Sequence, residues 1–84
     1  MHLVSPSDGA RPLATLPAGA SGTIRRVASH HGDWLDRLRA LGVTPGAAVV
    51  VLQTLPGIVF LCDQTELAVE RTVAEAILVV CAEE

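Results

Sequence analysis

Lysine and tyrosine are missing from this 84-residue chain, and its aromatic side chains reduce to Trp34 and Phe60. Proteins that bind single-stranded nucleic acid stack successive bases on several rings, and readers of proline-rich motifs line a groove with them, so two rings exclude both classes. Positive charge is scarce too. Six arginines stand against nine acidic residues for a net charge of −3, the opposite of what a phosphate backbone requires. Arg25, Arg26, Arg37 and Arg39 gather in the first half; the ordinary reading is a solvated face, the alternative a local basic patch. Long apolar runs are absent: Ala47–Leu52 and Ala76–Ala82 fall far short of the roughly 20 residues that span a bilayer. The opening "MHLVSPSDGARP" has no basic start followed by an apolar stretch, so no export or organelle signal is read and a cytoplasmic location is expected.

Chemical machinery is equally thin. Cys62 and Cys81 are not at metal-ligand spacing and read as small buried hydrophobes, a reducing cytosol disfavouring a disulfide between them. His30, His31, Asp33, Cys62 and Asp63 are potential ligands, yet adjacent histidines rarely hold one ion with both rings, and soft thiolates beside hard carboxylates make a poor ferrous set. A solvated loop is expected, with no metal. No glycine-rich phosphate loop is present and neither cysteine has a titratable partner at catalytic spacing, so the chain reads as a non-enzyme without a cofactor.

What is present is aliphatic. Hydrophobic residues make up 50% of the chain, enough for one small domain that buries about 60–65% of its unfolded surface. Residues 1–11 read as a flexible arm and 12–82 as the domain. Leu13 and Leu16 anchor its start, Pro17 and Gly19 turn the chain, and a strand runs from about Gly22 to Val27 or Ala28. Ile24 and Val27 break strict alternation, which predicts a bulge that brings both inward. Further strands are read at Ala47–Thr54, Ile58–Cys62, Glu66–Arg71 and Ile77–Cys81, with corners at "LPG" and "DQT". "TVAE" fits a capping box and predicts one helical turn.

The helix between the first two strands is the clearest local feature. Asp33 is its expected N-cap, and Trp34, Leu38 and Leu41 recur at i, i+4 and i+7. In "RLRALGVTPG" Gly42 stops it in a left-handed conformation, Val43 folds back on its last turn, and Pro45-Gly46 reverses the chain. These elements predict a mostly β fold: a small five-stranded antiparallel barrel with a helix after strand one and a helical turn before the last. Trp34, Leu38 and Leu41 are expected to cover one open end.

The stretches "PLATLPAGASGTIRRV", "RLRALGVTPGAAVVV", "LPG" and "ELAVERTVAEAILV", in that order over Pro12 to Val80, resemble the FeoA-domain family. Within the second, Arg37, Leu38, Leu41, Gly42, Pro45 and Gly46 carry the resemblance. One position departs: such domains often carry consecutive basic residues where this chain has Glu70 before Arg71. The resemblance implies an SH3-like barrel and an accessory role in bacterial ferrous iron transport, through contact with the cytoplasmic part of a GTP-binding permease and with the membrane only through that partner. The alternative is a regulatory module, since a similar barrel forms the C-terminal domain of iron-dependent repressors. The residues themselves add one hint. Ala47–Leu52 is apolar at both alternating sets and Ile58–Leu61 repeats the pattern, so a barrel with one interior must turn some of them outward. Val50, Leu52, Val59 and Leu61 are the expected partner-binding residues, the alternative being burial beneath the helix and the arm. Self-association through a strand edge is a third expectation.

Overall fold

The computed structural model describes residues 9–28 and 32–81; the expectations for most of the arm and for His30 and His31 lie outside them. Six strands form one antiparallel sheet: β1 Ala10–Pro12, β2 Ser21–Val27, β3 Ala48–Gln53, β4 Ile58–Cys62, β5 Thr65–Val69 and β6 Ile77–Cys81, in spatial order β1-β6-β2-β3-β4-β5. Helix α1 spans Gly32–Ala40, α2 is the short Arg71–Ala74, and a 3-10 turn covers Leu13–Thr15.

The expected count of five strands is corrected to six. Ala10 and Arg11, assigned above to the arm, pair with Val80 and Val79 of β6. Nothing local announces this strand, which ends in a proline; it exists because β6 offers a free edge for its backbone groups. The start of the domain otherwise follows expectation, with Leu13 and Leu16 fully buried.

Two bulges bend the sheet. The β2–β6 register shifts between Ile24 and Arg26, which lets Ile24 reach the core and Val27 pack against it, as broken alternation requires. A second shift, between Val51 and Gln53, separates β3 from strict pairing with β4. Extra residues of this kind raise local twist and curl a sheet around its own interior. That interior holds Leu13, Ile24, Val43, Val49, Val51, Ile58, Phe60, Ile77 and Val79, with no buried polar or charged side chain among the described residues.

Helix α1 ends as its sequence dictates. Gly42 has φ +92°, its N–H donates to the Arg39 carbonyl at 3.1 Å, and the Val43 N–H reaches the Leu38 carbonyl at 2.8 Å. These are the paired bonds of a Schellman cap, closed by the apolar contact between Val43 and Leu38, both buried. Gly46, at φ +96°, donates to the Ile24 carbonyl at 2.8 Å while Ile24 donates to Ala47 at 2.9 Å, so the joint re-enters the sheet hydrogen-bonded to β2.

The rest of the helix differs from expectation. Leu38 alone is buried, whereas Trp34 is 37% and Leu41 49% exposed. The helix stops at Ala40, which leaves Leu41 in the turn, and the face toward the sheet runs between Leu38 and the half-buried Leu35, about 40° and 100° away from Trp34 at 100° per residue. Asp33 lies in the first turn and does not precede it. The capping box at Thr72 is likewise absent: α2 starts one residue earlier, with Glu70 at the cap and no side-chain cap bond.

Candidate functional site

Alternation in the two doubly apolar strands sorts their side chains by face. Val49 and Val51 of β3 and Ile58, Phe60 and Cys62 of β4 are buried. Val50, Val59 and Leu61 are half-buried on the other face, and Leu52 is 42% exposed. The register brings the outward set together: Val50 opposes Leu61, and Val59 stands between Gln53 of β3 and Ala68 of β5. Leu52 occupies the bulge after Val51. Two residues not singled out from sequence extend this strip, Ala68 and the turn residue Leu55, which is 72% exposed. The alternation of β5, with Glu66 and Ala68 outward, was the available signal for the first. Glu66, opposite Leu61, puts a carboxylate at its margin.

The arginines do not form a comparable site. Arg71, which follows the departing Glu70, donates to the backbone carbonyls of Thr54 at 2.8 Å and Ala14 at 3.4 Å, tying the end of β3 to the 3-10 turn. Arg39 lies 3.9 Å from Asp36, an exposed pair of small energetic weight. Arg25 and Arg26 are exposed on β2, and the Arg37 guanidinium carbon lies over the Trp34 ring at 5.4 Å from its centroid.

Cys62 has a structural task. Its Sγ donates to the Gly42 carbonyl at 3.4 Å, fastening β4 to the end of α1. Burial, and secondarily the charge of Asp63, raise its pKa above the ordinary thiol value. Asp63 itself has φ +56°; its N–H donates to the Ala48 carbonyl at 2.7 Å and its Oδ1 accepts from the Ala48 N–H at 3.2 Å. Among the described residues no group of three or more histidine, cysteine or carboxylate side chains is arranged to hold a metal ion.

The thiols therefore report on the fold. Alkylation at pH 8 is expected to modify half-buried Cys81 first and Cys62 only as the domain opens, which peptide mapping of a timed iodoacetamide reaction checks. Because the folded state holds the Cys62 proton more tightly than the unfolded chain, the stability tied to it is whole below the unfolded thiol pKa and falls as pH rises through and above it. Urea midpoints of the Cys62→Ala variant should decline less between pH 7 and 10 than those of the parent.

A short, bulged, antiparallel sheet curled around an apolar interior, with an inserted helix sealed by a glycine cap, is the SH3-like class of small barrel. The chain belongs to the FeoA domain family, whose model matches residues 11–81. It is similar to the FeoA protein from Chlorobium tepidum solved by NMR, with 30% identity, TM-score 0.78, and coverage of 87% of this chain and 72% of that one. The zinc-complexed Stenotrophomonas maltophilia FeoA, described as a prokaryotic SH3 domain protein, matches with 23% identity and TM-score 0.71 over 80% of this chain and 86% of that one. A manganese-dependent transcriptional repressor matches at 25% identity and TM-score 0.84, over 92% of this chain but 44% of the repressor. Comparison with curated proteins gives no match. Among the described residues no helix is long and apolar enough to cross a membrane.

Proposed function

We propose that this protein is a cytosolic, non-catalytic accessory component of bacterial ferrous iron transport that acts by contact with the cytoplasmic part of a GTP-binding ferrous iron permease. Family membership supplies the iron-transport context, and the Stenotrophomonas relative has been suggested to act as a ferrous iron transport activating factor. The observation that carries the contact is the outward strip of Val50, Leu52, Val59 and Leu61, continued by Leu55 and Ala68. Contiguous aliphatic surface of this kind marks interaction sites.

An apolar contact is insensitive to salt. Raising ionic strength from 0.1 to 1 M shortens the screening length from about 10 to 3 Å, which cripples an electrostatic complex and leaves an aliphatic one intact. The test is a pull-down of the permease's cytoplasmic domain by single Val50→Lys, Leu52→Lys, Val59→Lys and Leu61→Lys variants whose melting shows an intact fold. At least one folded variant is expected to lose the partner. Full retention by all of them, or loss of the parent's binding with salt alone, rejects the strip as the contact.

The fit to the repressor favours one other reading, a module that regulates transcription together with a DNA-binding domain. Deleting the gene separates the two: a fall in ferrous uptake at unchanged permease transcript supports transport, and a changed transcript supports regulation.

A further inference from the structure

We infer a second binding surface, on helix α1, that takes a protein segment in which carboxylates alternate with aliphatic side chains. The inference goes beyond the permease reading, because it concerns a different face of the molecule and a different kind of contact. Trp34 and Arg37 lie at i and i+3 along one edge of the helix and Leu41 follows at i+7 in the turn that ends it, beside Leu38, which faces the core. Trp34 and Leu41 are the large apolar side chains that this edge leaves in water. Between them the Arg37 guanidinium lies over the indole ring, 5.4 Å from its centroid.

The cation–π contact sets the chemistry. A guanidinium over a ring places its charge there and carries a planar fork of donors, the geometry that meets a carboxylate with two parallel bonds. Among the described residues Arg37 forms no ion pair, while Arg39, two positions on, has Asp36 beside it at 3.9 Å. Among the described residues the positive fork thus has no ion-pair partner, and it lies between two apolar side chains. Its complement is a carboxylate flanked by aliphatic groups, one to satisfy the fork and the others to cover Trp34 and Leu41. Tryptophan and arginine are also the residue types that dominate interface energetics. Asp33 sits one turn before Arg37 on the same helix without pairing with it, so it opposes an acidic ligand.

Trp34 is the single tryptophan of the chain, and 5-fluorotryptophan labelling therefore gives one fluorine resonance that reports on this edge alone. The probes are a synthetic helical peptide built from Glu and Leu, its counterpart with Gln for every Glu, and its counterpart with Lys. The Glu peptide is expected to shift the resonance saturably and the other two to leave it near its free position. Arg37→Gln should weaken the Glu peptide about tenfold or more, the size expected for losing a charge-assisted pair, and Arg37→Lys should recover only part of that. Arg39→Gln should change little, and Asp33→Asn should tighten binding. Equal shifts with the Gln peptide would reduce the surface to an apolar one and overturn the inference. So would a resonance that none of the peptides moves, or one that moves with protein concentration alone, which would assign the edge to a second copy of the chain.

Discussion

Gly22→Ala is expected to cost the fold about 2–3 kcal/mol or more, the upper range for overpacking a closed interior. Gly22 sits inside the sheet between Val49 of β3 and Cys81 of β6. A methyl group there would press on the Val80 carbonyl oxygen and stand 2.7 Å from Val79 Cγ1 and 3.0 Å from Cys81 Cα. Two of those three obstacles are backbone, so no side-chain rotation relieves them. Only a parting of β2 from β6 would, and that breaks the ladder joining β6, and β1 beyond it, to the rest of the sheet. In a domain of this size each kcal/mol moves the melting temperature by about 4–8 °C, which puts the expected fall at about 8 °C or more. Gly57→Ala is the control: the nearest atom to its added methyl is the Val69 carbonyl oxygen at 3.4 Å, an ordinary contact, and it should melt close to the parent. A Gly22→Ala variant that melts with the parent would mean that β2 and β6 are not packed as described.

Gly42→Val is the second large effect, with a different origin. Nothing lies within 4 Å of a methyl added at Gly42, so no clash arises and the cost is conformational. At φ +92° a β-branched residue is strained by about 1–2 kcal/mol or more, whereas asparagine tolerates the left-handed region far better. Urea unfolding should place Gly42→Asn between Gly42→Val and the parent. The Gly42 carbonyl also accepts from Cys62, so a valine that distorts the cap removes part of what Cys62→Ala removes. The double variant is expected to be less destabilised than the sum of the two singles. Equal midpoints for Val and parent would show that the helix does not end at this residue.

Much of the architecture is legible where local chemistry and tertiary placement agree. Gly42 and Val43 announce the end of α1 because the cap is built from a left-handed residue and one apolar contact, both visible in sequence. Strands β4 and β6 follow from aliphatic runs bounded by turn formers, and the bulge in β2 from an alternation that skips a place. The exposed Trp34 was not legible, since helical spacing identifies a shared face but not the direction from which the sheet approaches it. Nor was β1, whose three residues have no strand pattern and are held by an edge supplied about seventy positions later. For the outward strip, alternation assigned Val50, Leu52, Val59 and Leu61 to common faces, and packing placed that set outside. Leu55 escaped notice because a turn residue takes part in no alternation.

The pairing of β1 and β2 with β6 also bears on how the domain is made in the cell. During synthesis β1 and β2 leave the ribosome early, yet β1 lacks its neighbour, and β2 one of its two, until Ile77–Cys81 has been translated. The nascent chain therefore carries an aliphatic half-sheet with open edges for nearly the whole of its elongation. Closure is a late event over a long sequence separation, the kind of contact that slows folding and lengthens exposure to other chains. The arginine and proline of β1, poor strand formers on a charged edge, keep that waiting edge from pairing with the wrong partner before its own arrives.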